Sequence, residues 1–78
     1  MDFKAIIKGP DDSFTEETIE YKKMQRDQAI EEARRDLSAR SVPGATAVLY
    51  RVIKDANVYP VAHWKVNNNF VLVRQDII

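Results

Sequence analysis

Apolar and polar residues alternate at the start of the chain. Phe3, Ala5 and Ile7 fall on one side and Lys4 and Lys8 on the other, the two-residue period of a half-buried strand. Ile6 breaks the pattern. Gly9-Pro10-Asp11-Asp12-Ser13 then gathers turn formers, and alternation resumes from Thr15 to Lys22, with Ile19 and Tyr21 inward against Glu16, Thr18, Glu20 and Lys22. The two segments predict a β-hairpin. From Arg26 to Arg40 the period changes to 3.6. Ala29, Ile30, Ala33 and Leu37 form one stripe on an otherwise charged surface, which predicts a helix with Glu31–Arg35 and Glu32–Arg35 pairs along it. Gln25 is a poor cap for its start, whereas Ser41-Val42-Pro43-Gly44 gives a clear stop.

The last third is rich in Val, Tyr, Ile and Asn, residues of strands and the turns between them. Thr46 to Lys54 predicts a third strand, Asp55-Ala56-Asn57 a hairpin loop, Val58 to Val66 a fourth strand, Asn67-Asn68-Asn69 a second turn and Phe70 to Arg74 or beyond a fifth strand. Pro60 cannot donate to a ladder, so regular pairing should begin near Val61 or a bulge should lie there. The pieces, β-β-α-β-β-β, predict a single α+β domain over residues 1–78. One antiparallel sheet carries the helix on one face, and a right-handed crossover gives strand order 2-1-3-4-5.

Composition narrows the chemistry. Apolar residues make up 45% of the 78 positions, enough for a core, although a chain this short has only ~3 to 5 kcal/mol to draw on. There is no Cys and one His, His63, so disulfide scaffolds, Cys zinc sites and multi-histidine metal centres are excluded. Gly9 and Gly44 are too far apart to cradle a phosphate, and Ser13, Ser38 and Ser41 occupy turn or helix-end positions where a hydroxyl satisfies backbone groups. A non-enzymatic protein without cofactor is expected. No apolar run approaches the ~18 residues of a membrane helix, and Met1-Asp2-Phe3-Lys4 does not resemble a signal peptide, so a cytoplasmic protein is expected.

Formal net charge is zero, which argues against sequence-independent binding to nucleic acid. The average conceals a bias: residues 1–41 carry eight basic and ten acidic side chains, and residues 42–78 carry four and two. Asp11, Asp12, Glu16, Glu17 and Glu20 crowd the first hairpin. They predict an arm that docks on a basic partner, set against the plainer role of edge charges that stop a strand from pairing. Neither calcium-loop spacing nor a carboxylate pair across a cleft fits them. On the fourth strand, strict alternation places Trp64 with Val58, Pro60, Ala62 and Val66 on the buried face, leaving Tyr59, His63 and Lys65 as an exposed strip for partner contact. A nucleic-acid reading would use Tyr59, Lys65, Arg51 and Arg74. The aliphatic tail, Val71, Leu72, Val73, Ile77 and Ile78, either completes the core or offers an edge to a second copy.

The run from Ile19-Glu20-Tyr21 through Met24-Gln25-Arg26-Asp27-Gln28-Ala29-Ile30-Glu31-Glu32-Ala33 to Val42-Pro43-Gly44 resembles small bacteriophage α/β host-takeover proteins. These include the phage inhibitor of bacterial RNA polymerase and short anti-CRISPR proteins. The resemblance covers about half the chain. It implies a phage-encoded inhibitor, acting in the host cytoplasm by occupying a bacterial protein or nucleoprotein complex. It transfers no functional residue.

Overall fold

In the computed structural model, residues 1–10, 16–40, 42–53 and 58–75 are described. Strands β1 (Asp2–Lys8) and β2 (Glu17–Tyr21) form the first hairpin, and helix α1 (Arg26–Ser38) follows. β3 (Thr46–Val52), β4 (Val58–Val66) and β5 (Leu72–Arg74) complete one antiparallel sheet in the order β2-β1-β3-β4-β5. The predicted topology is the observed one. β2 and β3 flank β1 on opposite sides, so the chain crosses over β1 through α1.

Local chemistry accounts for the element ends. Gln25 stands at the head of α1 and makes no side-chain cap, so that end relies on packing rather than on a polar lid. The helix finishes two residues before the predicted limit, and the Arg40 N–H donates to the Leu37 carbonyl in its last turn. Gly44 has φ +85, and a Cβ there would lie 3.0 Å from Pro10 Cβ, so this turn needs glycine both for its backbone and for the approach of Pro10. Lys23 also turns left-handed, at φ 58, and its N–H donates to Asp2 Oδ1, tying the link after β2 back to the start of β1.

The core lies between α1 and one face of the sheet. Phe3, Ala5 and Ile7 of β1, Tyr21 of β2, Ala47 and Leu49 of β3, and Ala62 and Trp64 of β4 meet Ala29, Ala33 and Leu37 of the helix. Alanines on both layers let the helix approach, while Phe3, Leu49 and Trp64, the largest fully buried side chains, fill the space between. Burying each of those three stabilises the fold by roughly 1.5–3 kcal/mol. Of the two expected charge pairs on the helix, Glu32–Arg35 is present at 3.8 Å, whereas Glu31 bonds Arg34 at 2.6 Å rather than Arg35, so the i,i+3 spacing takes both pairs. The hydrogen bond from Arg34 holds the Glu31 carboxyl below its ordinary value.

A candidate interaction surface on the uncovered sheet face

Register decides which side chains share a face. On β3, Ala47 and Leu49 point into the core, so Thr46, Val48, Tyr50 and Val52 lie on the other side of the sheet. Their partners on β1 are Lys8, Ile6, Lys4 and Asp2. On β4 they are Lys65, His63, Pro60 and Val58. Ile6, Val48, Tyr50, Val52 and Val58 therefore form a half-buried apolar strip across three central strands, with Lys4 and Lys8 on one side and Lys65 on the other. The helix occupies the opposite face, where it packs against β1, β3 and β5.

The register of β4 slips between Leu49 and Tyr50 of its neighbour: Leu49 faces Ala62, but Tyr50 faces Pro60. Val61 is the extra residue of a β-bulge, and it packs against the core beside Ala62. The expected irregularity near Pro60 is thus present, with pairing continuing beyond it to Val58. The bulge corrects the expected strip. His63 and Lys65 do lie together on the uncovered face, but Tyr59 stands opposite Arg51, on the helix side of the sheet. Val58 and Pro60 move the other way, away from the face of Trp64, because one inserted residue reverses the alternation for everything before it. Trp64 itself is in the core, as expected.

The acidic set divides as well. Asp11 and Asp12 lie outside the described residues. Glu16 and Glu20 are exposed, Glu20 being 3.9 Å from Lys22. Glu17 accepts a hydrogen bond from Arg40 Nε at 2.9 Å, and Arg40 also donates to the Asp36 carbonyl, so this carboxylate joins β2 to the end of the helix. Beside it the Tyr21 hydroxyl donates to Asp36 Oδ2 at 2.9 Å. Burial first, then the bond to Asp36 and the charge of that carboxylate, hold the phenol above its ordinary value. Glu17 and Tyr21 thus make a polar seam between strand and helix.

Of the residues named for nucleic-acid binding, Arg51 and Tyr59 are cross-strand partners on the helix side, Arg74 lies opposite Trp64 on that same side, and Lys65 is on the other face. Tyr59 and Phe70, 57% and 65% exposed, lie near opposite ends of β4, a strand spanning about 30 Å. The uncovered strip was missed in the sequence, although Ile6 signalled it by breaking alternation and the run from Ala47 to Tyr50 is apolar on both faces. Among the described residues no cluster of three His, Asp or Glu side chains could hold a metal ion, and no helix is long and apolar enough to cross a membrane. A groove of about 450 Å³ lined by Gly44, Lys65, Asn68, Val73 and Gln75 lies at the β4–β5 turn, beyond the Lys65 border of the strip. Comparison with protein-family models, curated proteins and solved structures finds no match to this chain.

Proposed function

We propose that the protein is a non-enzymatic interaction module that docks through the uncovered face of its sheet. One observation carries this reading: Ile6, Val48, Tyr50, Val52 and Val58 form a contiguous apolar strip with lysines at its border and no second layer over it among the described residues. Asp2 and Glu20 share that border with Lys4, Lys8 and Lys65, so the partner it suits is a protein with an apolar patch and charges of both signs at its rim. Lys4, Lys8 and Lys65 would speed encounter and fix orientation, a contribution that weakens with salt. Aliphatic β-branched residues make a poor stacking platform, which favours protein over nucleic acid. The resemblance of the hairpin–helix segment to phage host-takeover proteins suggests the first analytes to try, bacterial RNA polymerase and CRISPR effector complexes, with inhibition by occupancy.

The test compares three immobilised forms in capture from bacterial extract and against those purified complexes: wild type, Val48→Glu, and Arg35→Glu on the exposed helix surface. A partner retained by wild type and Arg35→Glu but lost with Val48→Glu, whose circular dichroism matches wild type, is the expected result. Retention of a partner by all three, or of none by wild type, counts against the reading. So does micromolar binding of labelled single strands at low salt.

A further inference from the structure

Charge is laid out along β1 with opposite signs at its two ends. On the uncovered face this strand runs Asp2, Lys4, Ile6, Lys8, and Val52, Tyr50, Val48 and Thr46 of β3 stand beside them in that order. Lys65 of β4 continues the row of Lys8 and Thr46. Asp2 and Lys8 are exposed, whereas Ile6, Val48, Tyr50 and Val52 are half-buried. One Asp2 oxygen accepts from the Lys23 N–H, and a carboxylate has acceptor sites for further partners.

Sheets that pack face to face commonly keep their strands within about 30° of each other, with about 10 Å between the layers. Two identical faces can do this about a two-fold axis that runs either along the strands or across them. An axis along β3 lays β1 of one copy over β4 of the other and sets Lys8 against Lys65. An axis across the strands, between the rows of Ile6 and Lys4, lays each strand over its own copy in reverse. Lys8 then stands over Asp2 of the second copy and Asp2 over its Lys8, while Val48 meets Tyr50. We infer that a second copy of this chain packs on the uncovered face in this crossed arrangement, with a Lys8–Asp2 ion pair on each side of the axis. The inference rests on the reading of the strip as a docking face: paired copies close that face, and dilution opens it to an outside partner.

Apolar contact supplies the attraction and the ends of β1 supply the register. The other lysines do not oppose it. Lys4 has Glu20 beside it on β2 of its own copy, and Lys65 comes over Val58 of the second copy, where its stem packs and its ammonium reaches water. A formal net charge of zero adds no long-range repulsion between copies. Four strands of this length make a face about 20 Å by about 20 Å. Two copies together then cover about 800 Å², less than the roughly 1,200–2,000 Å² of stable interfaces, so the dimer belongs to the weak, concentration-dependent class.

Carbodiimide coupling joins an amine directly to a carboxylate and so reads this contact. Within one copy Lys8 and Asp2 stand at opposite ends of β1, about 20 Å apart, so a Lys8–Asp2 link forms only between copies. Peptide mapping of the coupled wild-type dimer should find Lys8–Asp2 as the predominant link. By sedimentation equilibrium, wild type should rise from 9.0 kDa toward twice that mass as its concentration approaches the millimolar range. Lys8→Glu and Asp2→Lys, each with the circular dichroism of wild type, bring like charges together and should each remain monomeric. An equimolar mixture of the two restores both ion pairs and should dimerise like wild type. Wild type at 9.0 kDa throughout, a coupled dimer without the Lys8–Asp2 link, undiminished dimerisation of either single variant, or a mixture that stays monomeric would overturn the inference. All these readouts use the purified chain alone, whereas the docking reading is judged by capture of a different protein, so the two fail separately.

Discussion

The covered and uncovered faces of the sheet come from the same strands, residue by alternate residue, yet they are made of different side chains. Toward the helix, Ala5, Ala47 and Ala62 leave room for Ala29 and Ala33 to approach, and a few large residues fill what remains. Away from it, Ile6, Val48, Val52 and Val58 shield their own strands without a second layer, and lysines border them. Apolar character alone therefore does not mark the buried face of this sheet. Small residues mark where another layer comes close, and β-branched residues next to lysine mark where water reaches.

The sharpest way to break that comparison is at two neighbouring residues of β3. Leu49→Ala removes a fully buried side chain and should cost roughly 2–5 kcal/mol in urea unfolding, whereas Val48→Ala, one residue away on the other face, should cost no more than about 1 kcal/mol. Equal losses would mean that the open face contributes to the core as much as the covered one.

A smaller effect is expected where the helix-side seam turns polar. Tyr21→Phe removes the donor to Asp36 and should cost about 1 kcal/mol near neutral pH. Its alkaline behaviour is more telling. A phenol held above its ordinary value near ~10 adds stability that is fully present below that pH, and it is lost as pH climbs past it, because the unfolded chain releases a proton the folded chain keeps. Wild type should therefore lose stability more steeply than Tyr21→Phe above pH ~10. Parallel profiles would show that the phenol titrates alike in both states.

The smallest effect belongs to Arg40→Ala. Arg40 and Glu17 are 41% and 44% exposed at the side chain, so losing their pair should cost between 0 and about 1 kcal/mol and less at high salt. A larger, salt-independent loss would make this seam part of the core rather than its rim.

Much of this architecture was legible in the residues. Alternation in β1 and β2, the Ala29–Ala33–Leu37 stripe and the turn at Gly44 were enough to place the elements, and the crossover rule supplied the strand order. Side-chain facing on β4 was not legible. Pro60 signalled an irregularity, but alternation cannot show which residue is extra, and that choice moved Tyr59 to the helix side. Nor could the choice of Glu31 between Arg34 and Arg35 be read, since i,i+3 and i,i+4 neighbours are nearly equivalent on a helix. The uncovered strip stayed hidden because it draws single residues from several strands, and only register joins them into a row.

Placing β1 inside the sheet, between β2 and β3, has a consequence for how the chain finds its fold. β1 with β2 forms one ribbon and β3 with β4 and β5 another, each closed by short connections. Their junction, the β1–β3 ladder, pairs Ala5 with Leu49 and Lys8 with Thr46, residues roughly forty positions apart. Ribbons of that kind close in microseconds, whereas the junction must first overcome the loop entropy of the whole intervening helix and its links. The slow event is then the meeting of two preformed halves, and until it happens both edges of β3 and β1 that will become the interior are open to pairing with the wrong strand.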